Sequence, residues 1–275
     1  IEGAGTIDAI GAGVSGFKTG DKVAAIPFLS SDKWGNWTAE SVTRYGVYGD
    51  SAVVPAYSVA HNPDNISMIE ASAIWCQYLT AWGGLMSYAK LASDDIALIT
   101  AASSSAALGG LQIAKLTGAT VIAVTRTAGK KQLLLDAGAD HVVVTDDENL
   151  TERVMDITDG RGFSVAYDPV GGEFMADLVA AAQSCATIVN YGNLRTEPVN
   201  VPILPMLLKR LDIKFHSLFD TMRLPEERER GIRFVLDNVA SGALKVIVDK
   251  TFPLDQIVDA HRYMEANAQM GKIVV

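Results

Sequence analysis

Residues Asp95 to Asp140 read DIALITAASSSAALGGLQIAKLTGATVIAVTRTAGKKQLLLDAGAD, and this stretch decides the fold. The apolar run from Ile96 to Thr100 predicts a buried strand, and the run from Val121 to Thr125 predicts a second one. A loop of small residues and a helical stretch separate these two runs. Strand, helix and strand in this order predict a β-α-β unit, whose strands lie parallel in one sheet.

The same alternation continues toward the carboxyl end of the chain. A helix predicted over Ala73 to Lys90 precedes the first strand, and helical stretches separate the apolar runs that follow. Strands alternating with helices predict an α/β fold, a doubly wound parallel sheet with helices on both faces. The later predicted strands are His141–Val144, Val165–Tyr167, Thr187–Tyr191 and Ile213–Phe215.

The flanking regions carry shorter elements. Ser67 and Glu70 have the spacing of a capping box at a helix start. The stretch from Ser30 to Tyr48 is polar and aromatic, and predicts a loop whose Trp34 and Trp37 either line a substrate pocket or cover the domain. The flanking strands are predicted at Glu2–Ala9, Val23–Pro27, Asp50–Ala60, Val246–Phe252 and Lys272–Val275, and the flanking helices at Pro225–Ala240 and Leu254–Asn267.

The composition limits the kinds of protein that this chain can be. A formal net charge of -9 argues against a general nucleic-acid binder, which needs a basic face. Two cysteines cannot build a disulfide framework, and their small number fits a reducing compartment. No apolar run is long enough to span a bilayer, and no signal peptide opens the sequence. We therefore expect a cytoplasmic protein that acts on a small molecule, without nucleic-acid or membrane partners.

The loop after the first strand consists of small residues, from Ala101 to Ala107. Free N–H groups at a helix start and the helix dipole attract phosphate, and small side chains let the backbone approach a pyrophosphate. This loop is therefore a candidate dinucleotide site, although it lacks the usual glycines. The alternative is a tight strand-to-helix turn in which Ser103 or Ser104 only caps the helix.

The end of the second strand bears on which dinucleotide binds. An NAD site usually places an acidic residue there for the ribose hydroxyls, but this chain has Thr125 and Arg126, with Lys130 beyond. A hydroxyl and two basic side chains suit a 2′-phosphate, so we expect NADPH rather than NADH. The alternative is a solvated basic helix start.

Short motifs occur in order along the chain, at Glu2–Gly5, Gly11–Val14, Phe17–Val23, Tyr78–Gly83, Gly138–Val142, Asp168–Gly172, Tyr191–Asn193, Phe252–Leu254 and Gly271–Val275. This ordered set resembles the medium-chain dehydrogenase/reductase superfamily, in its zinc-independent quinone-oxidoreductase-like branch.

The resemblance implies a Rossmann domain inserted into a GroES-like catalytic domain. We therefore divide the chain into a dinucleotide-binding domain at residues 73–221 and a partial GroES-like domain at residues 1–72 and 222–275. The resemblance also implies that opening strands preceding Glu2 in relatives are missing from this chain, so its activity is open.

The resemblance also implies where the cofactor lies. Thr80 would sit near the nicotinamide, although a hydroxyl bonded to its own helix is equally compatible with the sequence. Ser104, Ser105 and Ala106 would meet the pyrophosphate, and Thr125, Arg126 and Lys130 the adenosine end. Segment Phe215 to Phe219 would close over the ring or form the edge strand of a homodimer. The remaining cofactor residues would be Asp168 and Val170 after the fourth strand, Tyr191, Gly192 and Asn193 after the fifth, and Ser217 and Leu218.

The resemblance raises the question of zinc, because zinc-dependent relatives carry a Gly-His-Glu motif. Its ligand histidine would fall at Ile1, and a hydrocarbon cannot bind zinc. Cys76 aligns with a zinc-ligand cysteine, but one thiol without partners is better explained as a small buried hydrophobe. We therefore predict no metal.

Three functions follow from these observations. The first is hydride transfer from NADPH to a quinone or an α,β-unsaturated carbonyl, with the cofactor carrying the hydride. The second is reduction of a thioester-linked or halogenated alkene by the same chemistry. The third is a truncated, non-catalytic dinucleotide-binding module that acts through dimerisation. No catalytic acid or base can be read from the sequence.

Overall fold

The computed structural model describes residues 2–27, 45–198 and 201–275. Ile1, Trp34 and Trp37 lie outside the described residues, so the predictions that rest on them are not addressed. The chain divides into two compact units. One consists of Ile1–Leu79 with Leu218–Val275, and the other of Thr80–Ser217.

The second unit is built on a six-stranded parallel sheet in the order β6-β5-β4-β7-β8-β9. All six predicted strands of the alternating region are present, and the predicted α/β fold is confirmed. Strand order reverses between β4 and β7, which is where ligands bind in open parallel sheets. The strands are β4 (Ile96–Ile99), β5 (Thr120–Thr125), β6 (His141–Val144), β7 (Phe163–Asp168), β8 (Ala182–Asn190) and β9 (Asp212–Phe215).

Helices of this unit bury the faces of the sheet. Every residue of β4 is buried, as expected for a strand covered on both sides. Leu98 and Ile122 of the sheet belong to one core with Val154 and Leu178 of the helices. The helices are α3 (Ser105–Thr117), α4 (Lys131–Asp136), α5 (Leu150–Ile157), α6 (Phe174–Ala181) and α7 (Ile203–Lys209), and a 3-10 turn at Ala128–Lys130 precedes α4.

Strand β8 begins five residues before the predicted strand at Thr187, directly after α6. Its register shifts, because Ala182 pairs with Phe163 whereas Thr187 pairs with Val165. The residues between these pairs bulge away from β7, and Cys185 among them is exposed with a φ of 62°. The bulge removes the alternation by which the start of the strand could have been recognised.

The predicted helix over Ala73 to Lys90 is only partly correct. The α-helix α2 covers Trp75–Trp82, and a π-helix over Gly83–Tyr88 follows it. The Tyr167 ring of β7 lies against this π-helix. A Cβ atom on Gly84 would lie 2.7 Å from that ring, and one on Gly110 of α3 would lie 2.9 Å from it. Glycine is therefore required on both sides of the Tyr167 ring, because any side chain would clash with it.

The first unit opens with a small antiparallel sheet of β1 (Gly3–Thr6), β2 (Lys22–Ala25) and β3 (Val59–His61). The predicted strand over Asp50 to Ala60 is wrong over most of its length. Ala56–Ser58 forms a 3-10 turn, and only its last residues belong to β3. The alternation there does not reflect a buried face, because Val53 is 89% exposed.

Helix α1 (Met68–Ala71) starts at the predicted capping box. The Ser67 N–H donates to Glu70 Oε2 at 2.8 Å, and the Glu70 N–H donates to Ser67 Oγ at 3.2 Å. The prediction of this helix start is confirmed, since both bonds satisfy donors at the amino end.

The remainder of the first unit consists of two strands that pair in parallel and of the helices beside them in the chain. A partly buried ion pair joins Lys272 to Glu2, whose other carboxylate oxygen accepts the Cys76 N–H at 2.8 Å. Burial lowers the pKa of Lys272, but the charge of Glu2 outweighs it and the pKa is raised. The elements are α8 (Leu218–Arg223), α9 (Pro225–Ala240), β10 (Val248–Thr251), a 3-10 turn at Leu254–Gln256, α10 (Ile257–Glu265) and β11 (Lys272–Val274).

Candidate functional site

The loops that follow the strands of the large sheet meet along its carboxyl edge. The loop after β4 joins β5, because the Ala102 N–H donates to Val124 O at 3.0 Å. The loop after β8 joins the one after β7, because the Leu194 N–H donates to Pro169 O at 3.0 Å. These bonds fix neighbouring loops to one another and make the edge a continuous rim.

The loop of small residues turns sharply before α3. Ala101 has a φ of 44°, and the Ser104 N–H closes the turn onto Ala101 O at 2.9 Å. Ser104 is the N-cap of the helix, and its Oγ accepts the Ala107 N–H at 3.4 Å. The capping role that we weighed for Ser104 is therefore observed.

The cap leaves other N–H groups at this end of the helix without an acceptor. The N–H groups of Ser105 and Ala106 find no acceptor within a helix because they belong to its first turn. Neither donates to another backbone carbonyl among the described residues. With the dipole of a 13-residue helix behind them, these groups form a site suited to an anion.

Asp168 lies at the end of β7 and is completely buried. Its Oδ1 accepts the Thr100 hydroxyl, while its Oδ2 accepts the Gly171 N–H at 2.9 Å and Asn190 Nδ2 at 3.1 Å. The carboxylate therefore joins the ends of β4, β7 and β8. Its bonds in the structure are all to the protein, so its direct effect is to hold these strand ends together.

Tyr191 follows β8, and its ring stacks on Tyr167 with centroids 3.8 Å apart and planes inclined by 16°. The hydroxyl oxygen is buried beside the side chains of Ser104 and Tyr167. Burial raises the pKa of Tyr191 above its ordinary value, the nearby Ser104 side chain lowers it, and the Asp168 charge raises it further. The hydroxyl therefore stays protonated near neutral pH and remains a donor.

The end of β5 carries the basic side chains. Thr125 is buried, whereas Arg126 is exposed and forms no ion pair with the described residues. Lys130 Nζ donates to Ser103 Oγ at 2.9 Å, which brings a second positive charge to the loop before α3. An unpaired guanidinium beside such a loop is suited to a phosphate.

Thr80 lies on α2 at the start of the second unit. Its carbonyl oxygen lies 3.1 Å from His216 Nε2, and the His216 N–H donates to Asn190 O at 2.9 Å. The His216 ring also lies 5.0 Å from the Tyr88 ring. Thr80 is thereby tied to the ends of β8 and β9.

The structure brings the predicted site residues to this rim, with one exception. Leu218 belongs to the first unit, so its relation to the others is not described. Gly192 packs closely on Pro169, to which a Cβ atom would come within 3.0 Å, and Asn193 is exposed beside it. Lys130 is bonded to Ser103 and Thr80 to His216, which both belong to these loops. The other predicted residues lie at strand ends, in the loops that follow or at the start of α3: Ser104, Ser105, Ala106, Thr125, Arg126, Asp168, Val170, Tyr191, Gly192, Asn193 and Ser217.

Three residues of the site were missed in the sequence. Thr100 and Asn190 bind the Asp168 carboxylate, and Tyr167 supports the Tyr191 ring. Thr100 and Asn190 are polar residues at the ends of apolar strands, which was a usable signal. Tyr167 gave no such signal, because a tyrosine within a buried strand is most simply a core residue.

Within residues 2–27, 45–198 and 201–275, no cluster of three or more His, Cys, Asp and Glu side chains is arranged to hold a metal ion. In the same residues, no helix has the length and apolar character to cross a membrane.

The chain is similar in sequence and in fold to known oxidoreductases. A family model described as zinc-binding dehydrogenase matches residues 137–275, about half of the chain. Quinone oxidoreductase 1 of Escherichia coli strain K12 is 30% identical over 283 residues, covering 98% of this chain and 79% of that protein. A 2-haloacrylate reductase of a Burkholderia species is 26% identical, covering 100% of this chain and 79% of that protein. The crystal structure of Escherichia coli quinone oxidoreductase complexed with NADPH superposes with a TM-score of 0.85 at 28% identity, covering 100% of this chain and 81% of that one.

Proposed function

The chain belongs to the medium-chain dehydrogenase/reductase superfamily, in its zinc-independent quinone-oxidoreductase-like branch, and on that premise we propose that it is an NADPH-dependent reductase. The observation that carries the proposal is the start of α3, where open N–H groups and a small-residue loop meet the basic end of β5. The proposed substrate is a quinone or an α,β-unsaturated carbonyl compound.

The residues present fit a dinucleotide. The N–H groups of Ser105 and Ala106 suit its pyrophosphate, and the unpaired Arg126 suits a 2′-phosphate. Lys130 adds positive charge at the same end. The cofactor would supply the hydride, and the residues of this chain would bind and orient it. We retain the other predicted contacts, including Thr80, Asn193, Ser217 and Leu218, as part of this proposal.

The proposed substrate class rests on similarity to named relatives and on the chemistry of conjugated acceptors. Hydride addition to the β-carbon of an enone or quinone places negative charge on the carbonyl oxygen, which hydrogen-bond donors stabilise. The relatives named as quinone oxidoreductases favour this class. A halogenated alkene is the second candidate, because another relative is named as a 2-haloacrylate reductase.

A binding titration followed by turnover assays tests the proposal. NADPH is titrated by its fluorescence, and its oxidation is then followed with 1,4-benzoquinone, an enone and 2-chloroacrylate as acceptors. Tight NADPH binding with turnover of the quinone or enone is the expected result, and turnover of 2-chloroacrylate alone would favour the second candidate. Binding without turnover of any acceptor would favour a non-catalytic module, and a clear preference for NADH would overturn the cofactor assignment.

The proposal extends to the organisation of the chain. The compact unit Thr80–Ser217 contains the whole parallel sheet, which supports a dinucleotide-binding domain close to the predicted residues 73–221. We assign the remainder, predicted as residues 1–72 and 222–275, to the catalytic domain. A cytoplasmic location, suggested by the low cysteine content, is kept as a prediction.

We further propose that the chain forms a homodimer through the β9 edge of the sheet. Strand β9 has a neighbour on one side only among the described residues, and Phe215 on it is 73% exposed. Helix α7 of the same unit exposes a row of large apolar side chains that water does not favour. These are Ile203, Leu204, Leu207 and Leu208.

Light scattering after size-exclusion chromatography tests the dimer. The wild type is expected at twice the chain mass, and the double variant Leu207→Glu with Leu208→Glu is expected at the mass of one chain. Val258→Glu, which places the same charge at an exposed site of the first unit, is the control and should remain dimeric. A monomeric wild type would contradict the proposal.

A further inference from the structure

The Ser103 hydroxyl bonds to a lysine side chain instead of capping a helix. The sequence made Ser103 and Ser104 equal candidates for the cap of α3, and the structure gives that role to Ser104. Ser103 Oγ accepts a hydrogen bond from Lys130 Nζ at 2.9 Å. The two residues are 27 positions apart, so the bond joins the loop after β4 to the turn after β5.

Both ends of this bond are held by the fold. The Ala102 N–H, next to Ser103, donates to Val124 O at 3.0 Å and fixes the loop to β5. Lys130 ends the 3-10 turn at Ala128–Lys130. Ser103 and Lys130 are both half-buried, so a ligand can reach them from solvent. The Ser103 hydroxyl is therefore a fixed point for the end of a long, flexible side chain.

Positive charge accumulates around this bond. Ser103 directly precedes the N-cap of α3, so the Lys130 ammonium is held near the positive end of the dipole of a 13-residue helix. Arg126 adds an exposed charge at the end of β5. A hydroxyl is neutral, so Ser103 holds the ammonium without neutralising it. A concentration of like charge is unfavourable by itself and attracts an anion.

We propose that Ser103 is a positioning residue for cofactor selection, whose hydroxyl holds the Lys130 ammonium in place for the 2′-phosphate of the dinucleotide. The inference rests on the NADPH function proposed above and assigns part of its selectivity to an uncharged residue. A free lysine side chain samples many rotamers and loses them on binding, so a bond formed beforehand lowers this cost. Ser103 thereby favours NADPH over NADH while acting only through Lys130.

The substitution Ser103→Ala tests this, because it removes the hydroxyl and keeps the Lys130 charge. Dissociation constants are measured for NADPH and NADH by fluorescence, and by competition for 2′,5′-ADP, which keeps the 2′-phosphate but lacks nicotinamide. The expected result is a rise of about fivefold for NADPH and 2′,5′-ADP, with no change for NADH. Ser103→Thr, which keeps a hydroxyl, should restore the wild-type values. Ser51→Ala, at an exposed serine of the first unit, is the control and should change none of them.

A second variant, Lys130→Met, shows whether Ser103 acts through the lysine. Alone, it should raise the NADPH dissociation constant about tenfold, because one charge-assisted bond to phosphate is lost. Adding Ser103→Ala to it should cause no further loss, because no ammonium remains to be positioned. The melting temperatures of all these ligand-free variants should stay within about 2 °C of the wild type, because the bond is only partly buried.

The contrary outcomes separate this inference from the proposed function. If Lys130→Met weakens NADPH binding but Ser103→Ala does not, the inference is overturned and the proposed function stands. A further loss in the double variant would show that the hydroxyl acts on the ligand directly, and an equal loss for NADH would show that it only holds the loop; either result overturns the inference. If Lys130→Met binds NADPH as tightly as the wild type, or if the wild type prefers NADH, the proposed cofactor contacts fail and this inference fails with them.

Discussion

The middle of the carboxyl edge and its β5 end are built in opposite ways. In the middle, the Asp168 carboxylate is buried and accepts three bonds from its own chain. At the end of β5, Arg126 is exposed and forms no ion pair with the described residues. The middle is therefore satisfied by bonds within the protein, whereas the β5 end leaves a positive charge that we propose for a phosphate. Under the proposed function, the difference separates residues that hold the site in shape from residues that select the cofactor.

Removing the Asp168 carboxylate should give the largest effect. Asp168→Ala leaves the Thr100 hydroxyl, the Gly171 N–H and the Asn190 amide without their acceptor. Such losses in a buried network cost about 3 kcal/mol of unfolding free energy, or roughly 6–12 °C in melting temperature for a protein of this size. Calorimetry measures this, with the exposed Asp94→Ala as control. A fall of less than about 1 kcal/mol would mean that the middle of the edge is not self-supporting.

Arg126→Ala should affect cofactor binding and leave the stability of the protein nearly unchanged. No ion pair within the described residues is lost and the side chain is exposed, so the melting temperature should stay within about 2 °C of the wild type. The affinity for NADPH should fall about tenfold, because a guanidinium–phosphate pair is removed, while the affinity for NADH should not change. Fluorescence titration of both cofactors provides the measurement. Equal losses of affinity for NADPH and NADH would contradict the proposal that Arg126 selects the cofactor.

The smallest effect on stability is expected at Asp140, which lies outside the carboxyl edge of the sheet. Asp140 immediately precedes β6 and accepts Lys115 Nζ at 2.8 Å and the Val121 N–H at 2.7 Å. Burial alone would raise its pKa, but these two donors outweigh burial and the pKa lies below its ordinary value of 3.8. Its contribution to stability is therefore present above pH 3.8 and is lost as the pH falls through the lower folded-state pKa.

The corresponding variant is Asp140→Asn. At neutral pH it should lose less than about 1 kcal/mol of unfolding free energy, because the Lys115 pair is partly exposed. Its stability should also depend less on pH than that of the wild type below about pH 4. Denaturant unfolding at several acidic pH values measures both. An equal pH dependence in the two proteins would show that this ion pair contributes nothing.

Features that depend on one segment of the chain could be predicted from the sequence. The strands of the parallel sheet were predicted because each is a continuous apolar run, and burial on both faces is the physical cause of such a run. The predicted strand over Asp50 to Ala60 failed because its alternation has no buried face behind it. The phosphate contact that we propose for Arg126 could also be read from the sequence, since a guanidinium indicates such a ligand by its chemical type alone.

Residues that act on one another across the fold were harder to foresee. Asp168 was predicted as a cofactor contact, and the structure shows its bonds to Thr100 and Asn190, which lie 68 and 22 residues away in the chain. A single sequence gives no means of pairing residues at such separations. The stacking of Tyr191 on Tyr167, 24 residues apart in the chain, was hidden for the same reason.

The Tyr167 ring, confined between Gly84 and Gly110, also limits how this protein can change. A larger residue at either glycine clashes with the ring, and a smaller residue at Tyr167 leaves a void between the π-helix and α3. The three positions are therefore strongly epistatic. A mutagenesis library that varies one of them alone would return few folded members, whereas one that varies all three together could recover new combinations.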